Sequence, residues 1–308
     1  MKLSVLFCFL TCSLAVMAQY DVPKKEYCDE LKNRTLAIEL LEGNSETVTN
    51  LNKTLKEVFT DEWKWSGIEF LSKSEIDNIL DSKNTNYFVL RQSSTAKEDI
   101  RRGYIDKYGR RSNVGIGSSY SYVAFSFAYY DFNLLMPTNK KPIKVMDVGL
   151  ANGDLARIDF LYVAQQLNRH IKASIDEVGM KEFYNIERNI EACKNKKIII
   201  LQDFIKGKER AKIGNYYKGE YELVDYNAYQ DVILKQTPGN AYVKIIWSNQ
   251  HKLYVWVVAD AETGETLSLL SFGGVKFGHN HKANDIIKVK HFQYIDFKKG
   301  QKFNDKYN

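Results

Sequence analysis

Short apolar runs and amphipathic stretches alternate along this chain, and they do so twice in the same order. In the second half the apolar run Lys197–Leu201 leads through a polar helical segment to Gly219–Val224. A short helix over Tyr226–Leu234 follows, then the turn Pro238-Gly239-Asn240 and the run Ala241–Trp247. Two further runs, Lys252–Ala259 and Thr266–Phe272, are joined across Asp260–Glu265. The first half gives Thr35–Leu41, a helix, Gly67–Leu71, a short helix, and Tyr87–Leu90 after Asn84-Thr85-Asn86. Brief runs bounded by turn residues predict strands, and stripes at three- and four-residue spacing predict helices.

The helical stripes are explicit. Val48, Leu51, Leu55 and Val58 line one face of a helix over Glu46–Phe59, with Ser45 placed to cap it. Ser72 and Glu75 form Ser-x-x-Glu, the capping-box pattern, ahead of a helix over Ser74–Asp81. Phe160, Val163, Leu167, Ile171 and Ile175 predict a long helix from Leu155 to about Val178, and Phe183, Ile186, Ile190 and Cys193 a shorter one. A weaker helix is expected over Ala283–Ile295, and a short helix or arm over Gln19–Arg34. Strands alternating with covering helices point to an α/β fold. The expected architecture is two similar α/β domains arising by internal duplication, each a mixed β-sheet covered by helices. Residues 19–178 would form the first and 179–308 the second.

The halves diverge after Leu90. The first inserts a long polar segment, residues 92–119, before an aromatic strand over Tyr120–Phe132 and another over Ile143–Val148. That insertion carries Arg101, Arg102, Arg110 and Arg111 among Tyr104 and Tyr108. Guanidinium groups give bidentate contacts to anions, so these six residues are the candidate ligand-binding set for an anionic partner such as a phosphate, a lipid headgroup or an acidic glycan. The alternative is a solvated loop, because Glu98, Asp99 and Asp106 dilute the charge. The aromatic strand has two readings as well: an exposed face that stacks on sugars or protein, or a strand buried on both sides.

Charge and composition narrow the setting. Met1–Ala18 reads as a secretory signal peptide, with Lys2 before an apolar core and Val16-Met17-Ala18 at the cleavage pattern. That core is too short to span a bilayer, so no transmembrane segment is expected after its removal. The 308 residues carry a formal net charge of +6, mild and well mixed, which gives no reason to expect nucleic acid. Cys8 and Cys12 leave with the leader. Cys28 and Cys193 remain, each just ahead of the first strand of its half, and are a disulfide candidate in an oxidising compartment. The competing reading keeps Cys193 buried on its helical stripe and Cys28 unpaired.

Candidate chemistry is sparse. Val145–Gly153 has the outline of the glycine loop of nucleotide-type methyltransferases, but it lacks βαβ framing and sits late in its repeat. A turn and cap is the expected role, and no cofactor is expected. His279 and His281, with His291 further on and Asp285 nearby, are the candidate metal ligands; a solvated loop is the alternative. No HExxH, CxxC or GxSxG pattern occurs, and nothing nominates a nucleophile. The repeat, with Trp63 and Trp65, the Ser72/Glu75 box, the Asp260…Gly264 hairpin and the Ala18-Gln19 junction, resembles uncharacterised exported proteins of Bacteroidetes. That resemblance implies a periplasmic or extracellular setting and transfers no catalytic residue. The expected function is a non-enzymatic binding or envelope-assembly module for a protein, glycan or anionic surface ligand. A secreted or periplasmic hydrolase acting on glycan or peptide is the alternative.

Overall fold

The computed structural model describes residues 22–105, 111–112, 118–151, 155–183, 186–248, 253–270 and 288–295. These form a mixed α/β structure around an 11-stranded sheet. In the first half, helix α1 (Lys25–Leu31) precedes β1 (Thr35–Glu39), α2 (Glu46–Glu62), β2 (Ile68–Leu71) and α3 (Lys73–Asp81). Strands β3 (Tyr87–Ile105), β4 (Arg111–Ser112), β5 (Ser118–Met136) and β6 (Ile143–Leu150) follow, then the long helix α4 (Arg157–Ile175). The second half runs through α5 (Met180–Phe183), α6 (Ile186–Lys194), β7 (Lys197–Leu201), one-turn helices α7 (Gly207–Arg210) and α8 (Ile213–Tyr216), and β8 (Tyr221–Val224). It continues with α9 (Tyr226–Leu234), β9 (Asn240–Ser248), β10 (Leu253–Asp260), β11 (Thr266–Leu270) and a 3-10 turn over Val289–Tyr294.

Each half pairs its strands in the same way. β1 lies between β2 and β3, parallel to both, and β5 and β6 continue from β3 in antiparallel fashion. β7 likewise lies between β8 and β9, parallel to both, and β10 and β11 continue antiparallel. The interior first strands carry continuous apolar runs, Leu36–Ile38 and Ile198–Leu201, because both their faces are covered; β1 and β7 are buried from their second residue onward.

Local detail repeats too. Ser72 caps α3 and Asp225 caps α9, each accepting from the backbone N–H three residues on. Both helices end in a left-handed residue, Lys83 at φ 55° and Gln236 at φ 47°. Asn84 N–H then donates to Ile79 O, and Thr237 N–H to Val232 O, the bond that satisfies a last-turn carbonyl. Thr35 N–H donates to Asn86 O, and Lys197 N–H to Gly239 O.

The two strand sets are not separate sheets, so the sheet does not divide at residues 178/179. One edge of β9 pairs β7 through Asn240–Tyr242 and then β6 through Ile246–Trp247. Gly149 sits at this seam because a Cβ there would lie 2.2 Å from the Trp247 carbonyl oxygen. Gly149 of the glycine-loop pattern, expected in a turn and cap, is therefore a strand residue at a close backbone crossing, and β6 runs on through Leu150. Residues 152–154 of that pattern lie outside the described residues.

Equivalent positions fall on opposite faces of the joint sheet. Leu36 and Ile38 belong to the main core, whereas Ile198 and Ile200 belong to the core on the other side. Helix α4 packs on the main-core side against α1, α2 and α9, which explains why it is buried nearly all round from Ile158 to Ser174. Its N-terminus is fixed by Asp159, whose Oδ2 accepts from Ala156 N–H at 2.9 Å and whose Oδ1 accepts from Lys244 Nζ at 2.5 Å. Gln166 Nε2 donates to Gly264 O at 2.8 Å, tying α4 to the turn between β10 and β11.

Candidate functional site

Residues 92–105 of the polar segment are strand rather than irregular loop. β3 runs through it to Ile105 and pairs with β5 from Val89↔Leu135 out to Ile105↔Ser118. Pairing of β3 with β1 ends at Leu90, and pairing of β5 with β6 starts at Tyr130, opposite Ser94. From Thr95 to Gly103 the hairpin is thus a two-stranded ribbon past its sheet neighbours, roughly 30 Å long at about 3.3 Å per residue. A bulge leaves Ala124 unmatched on β5 between Asp99↔Phe125 and Ile100↔Val123, and β3 itself stays regular.

Four of the six candidate binding residues sit on or at the end of this ribbon. Arg101 is in register with Tyr122, Arg102 with Ser121, and Tyr104 with both Ser119 and Ser112. Arg111, on β4, faces Ile105, so the strands gather 101, 102, 104 and 111 at one end of the ribbon. Tyr108 and Arg110 lie outside the described residues, as do His279, His281 and Asp285. His291 is half-buried on the 3-10 turn, where its Nδ1 accepts from Lys288 N–H at 3.4 Å as part of a local cap. Among the described residues no three His, Cys, Asp or Glu side chains are placed to hold a metal ion.

The disulfide candidate gives way to the competing reading, with Cys28 buried as well as Cys193. Cys28 and Cys193 are both free and buried. Cys28 belongs to the main core and Cys193 to the core on the opposite side, so the sheet stands between them. Burial raises the pKa of both thiols, that of Cys193 to about 12. Neither is a reactive thiolate near neutral pH.

A titratable cluster that sequence reading missed lies at the carboxyl end of β1. Glu39 is 5% exposed, and its burial raises its pKa against the opposing pull of Arg91. Arg91 Nε stands 3.2 Å from Glu39 Oε2, and its Nη2 stands 2.8 Å from Asp77 Oδ1 on α3. Position for position in the strand pairing, Arg91 matches Lys244, which makes the buried pair with Asp159. Aligning the two apolar repeats would have set these two cations together; their acidic partners come from other elements.

A groove of about 430 Å³ opens beside the same strand end, lined by Leu40, Thr49, Asn52, Lys53, Lys56 and Glu57. Asn52 braces it by accepting from Leu41 N–H at 2.8 Å and donating to Leu41 O at 3.0 Å. Its wall is α2, which packs on the main core, whereas Asp77 belongs to α3 on the other face of the sheet. The Glu39–Arg91–Asp77 group therefore does not converge on the groove. No helix among the described residues is long and apolar enough to cross a membrane. Comparison with protein-family models, with curated proteins and with solved structures finds no match.

Proposed function

We propose that this chain is an exported, non-enzymatic binding or envelope-assembly protein, built by duplication of one α/β unit, with the β3–β5 ribbon as its binding element. The observation that carries the reading is the ribbon itself. The hairpin runs on past the last pairing with β1 and β6, and a two-stranded ribbon leaves backbone donors and acceptors along its edges for a partner. Duplication is supported by the shared pairing order, the matched caps of α3 and α9, and the equivalent hydrogen bonds of Thr35 and Lys197. Arginine and tyrosine at the ribbon's far end suit an anionic ligand such as a sulfated or carboxylated glycan.

Replacing Arg101, Arg102, Arg110 and Arg111 by Ala tests the ligand class. The native chain should be held on sulfated polysaccharide beads at low salt and released as salt rises, and the variant should elute much earlier. Equal elution of the two would remove the anionic-ligand reading. The hydrolase reading gains ground only if the native chain turns over a glycan or peptide substrate, and Glu39→Gln is the first variant to examine in that event.

A further inference from the structure

We propose that the ribbon pairs with the ribbon of a second copy, β3 against β3, about a twofold axis at Ile100. This rests on the reading of the hairpin as the binding element and names its partner. Among the described residues, β3 has no paired strand along its outer edge from Ser93 to Gly103; Arg91 and Gln92 still touch Glu39 at the end of β1. β1 occupies that edge up to Leu90, and β4 takes it over at Tyr104. The free edge contains Lys97-Glu98-Asp99-Ile100-Arg101-Arg102-Gly103.

Charges on an exposed edge usually prevent strand pairing, because identical strands meet like with like. Here their order has the opposite effect. Antiparallel pairing centred on Ile100 sets Glu98 opposite Arg102 of the second copy and Asp99 opposite its Arg101. The twofold axis repeats both pairs. Opposite charges directly across an antiparallel pair are stabilising, and like charges are destabilising. Only whole-residue slides keep the outward N–H and C=O groups aligned: moving the axis to Asp99 sets Lys97 opposite Arg101, and moving it to Arg101 sets that arginine opposite its own copy. The Ile100 register avoids both clashes and matches Lys97 with Gly103. Because the bulge lies on β5, the edge that would pair is the regular one. The contact is isologous and closes at two copies, since each ribbon presents one such edge.

Sedimentation of the chain from Gln19 across a concentration series tests this, and a dimer is expected. Arg101→Glu with Arg102→Glu sets carboxylates opposite Asp99 and Glu98 of the second copy and should weaken association roughly a hundredfold. Adding Glu98→Arg and Asp99→Arg recreates the pairing in mirror order and should restore the dimer. Ile100→Cys should form a reducible covalent dimer, because paired residues on the axis bring Cα atoms to about 4.5–5.5 Å. Ala96→Cys, roughly 26 Å from its symmetry mate, should not. A chain that stays monomeric at every concentration overturns the proposal, and so does a dimer indifferent to the acidic double substitution. The outcomes separate from those for the ligand: bead retention by a monomer removes the pairing alone, and a dimer that ignores the beads removes the anionic ligand alone.

Discussion

His170 carries the clearest pH signature of any single side chain described. It is 1% exposed on α4, its Nδ1 donates to Gln166 O at 2.7 Å, and its ring packs against Phe183. Burial lowers its pKa from 6.5 to about 3, so the folded chain keeps it neutral where the unfolded chain protonates it. Its contribution to stability is complete above pH 6.5 and drains away as pH falls toward 3, by on the order of 1.4 kcal/mol per pH unit. Glu39, with its raised pKa, works in the opposite direction, so the comparison has to isolate the histidine. Denaturant titrations of the native chain and of His170→Gln should diverge between pH 6 and pH 4, with the native chain losing more. Parallel curves would contradict the assignment. Residues whose role is local were legible in sequence: Ser45 caps α2, and Ser72 with Glu75 forms the box. Lys244 and Asp159 were not, because 85 positions separate partners that meet only when β9 and α4 pack.

At the scale of elements, burial decided what could be read in advance. The helix over Tyr226–Leu234 was expected at those bounds, and α2, α3 and α4 lie where their apolar stripes placed them. The residues 92–105 gave no strand signal. They are mostly polar, charged or small residues without period-two alternation, and their extended state comes from pairing with β5. The seam was hidden for another reason, since Gly149 reads as a loop residue until Trp247 is beside it. Gly149→Ala would drive a methyl group into the Trp247 carbonyl and force β6 and β9 apart. It should cost at least about 2 kcal/mol, as overpacking against backbone commonly does. Thermal unfolding checks this: an unchanged midpoint would mean the two strands do not abut as described.

For the whole molecule, the sequence made the twofold order of strands and helices legible but not the sharing of one sheet. Strand edges carry no label in sequence, so nothing announced that the first half would dock on β9 beside β7. The consequence is a single scaffold in which α4 covers both halves and the ribbon is left over. If binding is the ribbon's work, removing it should spare the scaffold. Ala96 and Ala128 are register partners, so residues 97–127 can be replaced by Asn-Gly, a two-residue turn that closes a hairpin at that pair. The decisive measurement is elution of this shortened chain from sulfated polysaccharide beads, beside the native chain and with unfolding midpoints for both. If the ribbon binds, the shortened chain keeps a midpoint within a few degrees of native and loses salt-dependent retention. A folded, shortened chain that elutes with the native protein would contradict that role.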